Sequence, residues 1–163
     1  MLTLTRKADY ALVAMAELAR RFPGYASARE VADRAHVPLP MLHNILKQLL
    51  HEGLVTSAMG PTGGYSLSRA PEQISLAEMI DAMEGRFKLA LCCATDFEAD
   101  AGCELEPDCQ IKGPVRKVHA GMRHFMSGFS LAQIAFDDVP VPLGLGDRLL
   151  NCCETEIQDD QCN

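Results

Sequence analysis

The chain has 163 residues, of which 48% are hydrophobic, and it carries a formal net charge of −7. This length fits one domain with an appendage or two small domains, and no apolar run approaches the roughly 20 residues that a membrane helix needs. The N-terminal segment is interrupted by Asp9 and Glu17 and has no cleavage pattern, so we expect no signal peptide. We therefore expect a cytoplasmic protein without a membrane partner, in which thiols stay reduced.

The acidic excess lies entirely in the second part of the chain. Residues 1–70 contain eight Lys or Arg against five Asp or Glu, whereas residues 71–163 contain seven against seventeen. The overall charge argues against nucleic acid, but the mildly basic N-terminal part can still face a phosphate backbone. Any DNA contact is therefore expected in the first part.

The first elements in chain order are helices. Apolar residues recur on one helical face of residues 4–21. Ser27 and Glu30 have the spacing of a capping box for a short second helix. Pro40 suits the first turn of a longer helix that runs to about Glu52. Two helices joined by a short turn, the second one longer, are typical of a helix-turn-helix.

A hairpin is predicted directly after the longer helix. Its strands are residues 54–57 and 65–67, and the turn between them contains three glycines. Such a hairpin indicates a wing, whose glycines allow the backbone to approach another molecule closely. A further capped helix begins after Ser75 and ends at Gly85. The N-terminal part is thus predicted to be a winged helix-turn-helix domain.

The next segment concentrates cysteines in a polar loop. Its other residues are mainly acids, glycine and proline, which favour a loop over a core helix or strand. Such a loop offers no core in which thiols could be buried. In a reducing compartment a metal site is favoured over a disulfide framework, and thiolates select zinc, copper(I) or iron–sulfur clusters. The cysteines are Cys92, Cys93, Cys103 and Cys109.

Helical spacing returns from Gly113 to about Ser127. Little of the chain is left for this helix to pack on, so we expect its apolar face to contact a partner subunit. Ser130 caps a last short helix, and the segment after Phe136 has the composition of a mobile tail. The residues expected to face the partner are Val115, Val118, Met122, Phe125 and Met126.

Together these segments resemble the IscR/NsrR (Rrf-type) family of bacterial winged helix-turn-helix transcription regulators. The resemblance covers roughly residues 1–136. It rests on LTRKADYALVAMAELA, the helix-turn-helix, GLVTSAMGPTGGYSL as the wing, ISLAEMIDAMEG and the spaced cysteines. Within the family, ISLAEMIDAMEG and the Cys-x9-Cys-x5-Cys spacing are most similar to the SUF-system regulators, which control iron–sulfur assembly genes.

The resemblance implies a homodimer with an iron–sulfur cluster on the loop beside the dimerisation helix. It favours a [2Fe–2S] cluster, with [4Fe–4S] as the alternative. Some members use a histidine three residues after the last cysteine, where this chain has Lys112, and others use an acidic residue of the first helix, where it has Asp9. His119 and His124 are further candidates for a fourth ligand. The cysteines that match by position are Cys93, Cys103 and Cys109, with Cys92 as an alternative to Cys93.

For DNA, the resemblance places contacts on the longer helix and the wing. Family wings often carry Arg immediately before Gly-Pro, where this chain has Met59. Asn and Gln side chains can pair with adenine edges, and Met41 can contact a thymine methyl; a solvated helix face is the alternative interpretation. The candidate DNA-binding residues are Ser27, Pro40, Met41, His43, Asn44, Lys47, Gln48, Met59, Gly60, Thr62 and Gly63.

The predicted function is a transcription regulator that senses iron–sulfur, redox or nitric oxide status through its cluster. A zinc- or thiol-based redox repressor without iron is the alternative in the same class. An iron–sulfur electron carrier is the alternative in another class, but it has no need for a winged helix-turn-helix. The chain has no Ser-His-Asp arrangement, no GxxxxGKS/T phosphate loop and no substrate motif, so we expect neither an enzyme nor a small-molecule substrate.

The predicted fold is mainly α, with four parts. They are a winged helix-turn-helix DNA-binding domain (1–85), a cysteine-rich cluster-binding loop (86–112), a dimerisation helix with a short following helix (113–136) and an acidic flexible tail (137–163). Three more cysteines, Cys152, Cys153 and Cys162, lie in the tail, outside the family pattern.

Overall fold

The computed structural model describes residues 4–60, 62–93, 108–136 and 138–140. In these residues helices dominate, and one antiparallel hairpin lies among them, which confirms the predicted fold class. None of the described helices is long and apolar enough to cross a membrane. The helices are α1 Arg6–Ala19, α2 Ala28–Ala35, α3 Leu39–His51, α4 Leu76–Glu84, α5 Lys112–Ser127 and α6 Leu131–Ala135; the strands are β1 Val55–Ala58 and β2 Gly64–Leu67, and short 3-10 turns occupy Pro71–Gln73 and Leu91–Cys93.

Local capping explains where three of the helices begin. The Glu30 N–H donates to the Ser27 hydroxyl over 3.2 Å, and the Ser27 N–H donates back to the Glu30 carboxylate over 2.9 Å. Ser75 and Ser130 form the same reciprocal box at α4 and α6. A serine cap contributes about 0.5–2 kcal/mol of stability, so these predicted helix starts are defined by neighbouring residues.

The core fixes the longer helix of the helix-turn-helix. Four residues of α3, spaced by three and four, are fully buried, so α3 has one buried face and one outward face. Burying a Leu or Ile side chain contributes roughly 1.5–3 kcal/mol, and α1 supplies the fully buried Met15 and Leu18 to the same core. The buried residues of α3 are Leu42, Ile45, Leu46 and Leu49.

Helix α5 differs from the others because none of its 16 residues is buried. Its apolar side chains follow spacings of four, three, four and three residues, the pattern of a coiled-coil seam. Ile111 is 64% exposed, Val118 55% and Phe125 41%. Ile111, at the N-cap, was not predicted as part of this set, whereas Met126, which is half-buried four residues after Met122, was; its partner contact stays a prediction. We call Ile111, Val115, Val118, Met122 and Phe125 the apolar stripe.

Several predictions concern residues outside the described ranges. They include those for Cys103 and the loop at residues 94–107. They also include the flexible tail from residue 141 and its three cysteines.

Candidate functional site

The outward face of α3 carries the candidate base-reading residues. Met41 is 38% exposed, and Pro40, His43, Asn44 and Lys47 are also exposed. The opposite face is held in the core, so these side chains project from a fixed helix. The one permanent cation among them is Lys47, which is suited to a phosphate contact.

Gln48 does not face outward with these residues, contrary to the prediction. Its side-chain amide donates a hydrogen bond to the Ala82 carbonyl of α4, and its oxygen accepts one from the Lys7 ammonium of α1. The side chain is half-buried. Gln48 therefore links α3 to two other helices, which the α3 sequence by itself could not reveal.

Backbone contacts hold the base of the wing. The Ala26 N–H donates to the Tyr65 carbonyl over 2.9 Å, and the Tyr65 N–H donates to the Ala26 carbonyl over 2.8 Å. Gly64 has a φ of +143°, and a Cβ there would lie 2.3 Å from the Ala26 carbonyl oxygen. A Cβ on Gly63 would lie 2.2 Å from the Ala58 carbonyl oxygen. Glycine is required at both positions because any side chain would collide with backbone.

The wing tip is exposed and uncharged. Met59 has a relative exposure of 103%, and Gly60 and Thr62 are also exposed. No charged residue lies between Val55 and Ser68 in the sequence. Whatever this tip contacts, it contributes no ion pair.

Ser27 lies directly after the residue that anchors the wing. It was predicted both as a helix cap and as a DNA contact, and the cap is confirmed because its hydroxyl accepts the Glu30 N–H. Its side chain is half-buried. The DNA contact of Ser27 stays a prediction.

Two cysteine-bearing segments converge on the N-terminal end of α5. The 3-10 turn Leu91–Cys93, here called the cysteine turn, packs against α5, and the Arg116 Nε donates to the Cys92 carbonyl over 2.7 Å. Cys109 lies just before α5, and its carbonyl accepts the Lys112 N–H over 3.3 Å. Cys93 is buried, and Cys92 and Cys109 are half-buried.

The thiols of the cysteine turn have suitable chemistry for a thiophilic metal. Partial burial raises the pKa of the Cys92 thiol, and the neighbouring Cys93 raises it further. Cys92 therefore keeps its proton near neutral pH unless a metal takes the proton's place. No group of three His, Cys, Asp or Glu side chains that could hold a metal occurs within the described ranges. The donor type fits a cluster, but Cys92, Cys93 and Cys109 do not form such a group by themselves, and Cys103 lies outside these ranges.

The candidate fourth ligands differ in their surroundings. Asp9 is exposed in the first turn of α1, and His124 is exposed near the end of α5. His119 is engaged elsewhere, because its Nε2 donates to the Phe87 carbonyl over 2.9 Å and its ring stacks on Phe87 with centroids 5.7 Å apart. Asp9 and His124 thus stay accessible to a ligand, whereas His119 has a structural contact.

Sequence reasoning missed the polar contacts of α5 with its own chain. Arg123 donates two hydrogen bonds to the Asp81 carboxylate, over 3.1 and 2.9 Å. The available signal was the spacing of Arg116, His119 and Arg123, which places three polar side chains on one helical face.

Comparison with known proteins agrees with this architecture. The Rrf2 family, described as iron-dependent transcriptional regulators, matches residues 4–137. A relative from Azotobacter vinelandii, named as a candidate HTH-type transcriptional regulator (ORF2), is 34% identical over 147 residues, covering 89% of this chain and 87% of the relative.

Two solved structures share the fold. The structure of T. potens IscR has a TM-score of 0.60 at 25% identity, covering 99% of this chain and 94% of that one. CymR of B. subtilis, described as the global cysteine regulator, has a TM-score of 0.64 at 23% identity, covering 83% of this chain and 97% of that one. With the family match extending over most of its length, this chain belongs to the Rrf2 family of winged helix-turn-helix transcription regulators.

Proposed function

We propose that this regulator binds operator DNA as a homodimer and senses iron–sulfur, redox or nitric oxide status through a cluster on its cysteine loop. The observation that carries the proposal is the convergence of the cysteine turn and Cys109 on the end of α5. The same helix exposes the apolar stripe. Because the cysteine loop and the dimer contact would share α5, a change at the cysteines would alter the distance between the two DNA-binding domains of the dimer.

Three cysteines would hold the cluster: Cys103, Cys109 and either Cys93 or Cys92. The bound cluster supplies a redox-labile centre whose loss frees the thiolates. We propose [2Fe–2S], with [4Fe–4S] as the alternative, and iron–sulfur assembly genes as targets, from the resemblance to the SUF-system regulators. The likeness to the solved structure of T. potens IscR, which covers 99% of this chain, supports this proposal.

The chain's own residues would translate the cysteine state into DNA affinity. The apolar stripe would pair with the same stripe of a second copy, an isologous contact. Two recognition helices then meet half-sites about 34 Å apart, so a small rotation of α5 changes the fit to both. This coupling requires only that α5 has a different position when the cysteine loop carries the cluster than when it does not.

A thiol- or zinc-based repressor without iron is the second candidate. The adjacent Cys92 and Cys93, both on one turn, favour it because two neighbouring thiols can bind zinc, or be oxidised to a disulfide by an external oxidant, without iron. Protein purified without oxygen distinguishes the two candidates. An iron–sulfur protein absorbs visible light and contains iron and sulfide, whereas the zinc or thiol form is colourless. Mössbauer spectra then separate [2Fe–2S] from [4Fe–4S].

DNA contact through α3 predicts different effects for two exposed residues. Lys47→Ala should weaken binding to every duplex and reduce the slope of log K against log salt by about 0.9, because one phosphate contact is lost. Asn44→Ala should instead relax sequence preference, losing about 1–3 kcal/mol of discrimination at one base pair. Titrations of specific and random duplexes at several salt concentrations measure both. Unchanged affinity and preference in both variants would show that α3 is not the recognition helix.

Because the wing tip is uncharged, adding a cation there should make DNA binding depend more strongly on salt concentration. Met59→Arg should tighten binding at low salt and steepen the same slope by about 0.9, because the exposed tip would reach a phosphate. Met59→Gln is the matched control, similar in size without charge, and should keep the wild-type slope. If the slope of Met59→Arg equals that of Met59→Gln, the tip does not approach DNA.

A further inference from the structure

Helix α5 has a polar stripe beside its apolar one, formed by Arg116, His119 and Arg123. The first two bind carbonyl oxygens of Cys92 and Phe87, over 2.7 and 2.9 Å. Arg123 binds the carboxylate of Asp81 in the last turn of α4. The polar stripe therefore contacts the end of α4 at Asp81 and the connection to the cysteine turn at Phe87 and Cys92.

The contacts around Asp81 close into a ring. Asp81 Oδ1 also accepts the Phe87 N–H over 3.2 Å, and Phe87 stacks on His119, one turn before Arg123 on α5. Only 24% of the Asp81 side chain and 30% of the Arg123 side chain are exposed. A bidentate arginine–carboxylate contact fixes direction as well as distance. A displacement of α5 therefore cannot occur without either moving the end of α4 or breaking this pair.

The other side of the same turn of α4 holds the recognition helix. The carbonyl of Ala82, next to Asp81, accepts the side-chain amide of Gln48 in α3. Two residues later, the Glu84 carboxylate accepts the Thr5 N–H at the start of α1 over 2.6 Å. Residues 81–84 thus contact α5, α3 and α1 within one helical turn.

We propose that residues 81–84 are the joint that transmits the state of the cysteine turn to the recognition helix. Arg123 and Gln48 act as positioning residues on its two sides. The inference rests on the proposed function and specifies how its two sites communicate. When the cysteine turn shifts, the Arg116 bond to the Cys92 carbonyl displaces α5, and His119 and Arg123 then move Phe87 and Asp81. The adjacent Ala82 carbonyl then reorients α3 through Gln48.

The test compares DNA affinity in two cysteine states. The probe is the duplex that the wild-type protein selects from a random pool, and the measured quantity is the ratio of Kd between cluster-loaded and cluster-free protein. Coupling between sites is typically about 5- to 150-fold, and the ratio should fall towards 1 in Arg123→Gln and in Gln48→Met. Lys117→Gln, on another face of α5 and exposed, is the matched control and should keep the wild-type ratio.

A second readout needs no cluster. Because coupling between binding equilibria is reciprocal, the selected duplex should change the equilibrium constant with which the thiols of cluster-free protein exchange with glutathione disulfide. That change should occur in the wild type and in Lys117→Gln, and disappear in Arg123→Gln and Gln48→Met. Thermal melting by circular dichroism establishes that each variant is folded. Arg123→Lys, which keeps the charge but loses the forked contact, replaces the glutamine variant if that one does not fold.

The outcomes separate this inference from the function it rests on. Wild-type coupling that persists in the folded Arg123 and Gln48 variants overturns the joint and leaves the sensing function standing. A wild-type protein whose affinity is the same in both cysteine states overturns both. A wild-type protein that selects no duplex overturns the proposed DNA-binding function itself.

Discussion

Met122→Asp should convert the proposed dimer into monomers at micromolar concentration. Met122 lies in the apolar stripe between Val118 and Phe125, and none of the side chains of α5 is buried by its own chain. In an isologous dimer the substitution occurs twice, and each buried polar group without a partner costs about 1–3 kcal/mol. At 1.4 kcal/mol per tenfold change, the dimer dissociation constant should rise about 30-fold or more.

The matched control is Ala120→Asp, on the same helix. Ala120 is exposed and lies on the side opposite the apolar stripe, so the same aspartate should leave the dimer intact. Sedimentation velocity or light scattering across a concentration series measures both. A wild-type protein that is monomeric at micromolar concentration, or dissociation by both aspartates to the same extent, would contradict the proposed seam. Met122→Asp should also weaken operator binding, because two half-sites would no longer be bound together.

Cys103→Ser should abolish iron binding. Cys103 is the middle residue of the Cys-x9-Cys-x5-Cys spacing and has no neighbouring thiol that could replace it. Cys92→Ser and Cys93→Ser singly should each keep part of the iron, because both thiols lie on one turn beside α5. The double variant should lose it. Iron and sulfide content with visible absorption, measured on protein purified without oxygen, give the result.

Variants outside the loop provide the controls for this experiment. Cys162→Ser, in the tail, should keep full colour and full iron content. Asp9→Ala should assemble the cluster but lose it faster in air, because the three cysteines would remain without the oxygen ligand. Full iron in Cys103→Ser, or its loss in Cys162→Ser, would place the metal elsewhere in the chain.

Local chemistry was readable from the sequence wherever a few neighbouring residues decide the structure. The capping box of Ser27 and Glu30 spans four residues, and it forms as predicted. The buried face of α3 follows from a spacing of three and four residues. The wing followed from two short strands around a glycine-rich turn, and the observed strands differ from the prediction by one residue at the ends.

The tertiary structure alone decided what the polar side chains do. Gln48 has the side-chain type and the position of a base-reading residue, but its amide donates a hydrogen bond to the Ala82 carbonyl, 34 residues away. In the sequence, Arg123 cannot be distinguished from an ordinary surface arginine. Its bond to Asp81, 42 residues earlier, forms only because α5 packs beside α4. Helix periodicity depends on the order of neighbours, whereas these bonds depend on how separate helices pack. A polar side chain binds whichever partner packing brings within about 3 Å, and that partner is set by the arrangement of the whole core.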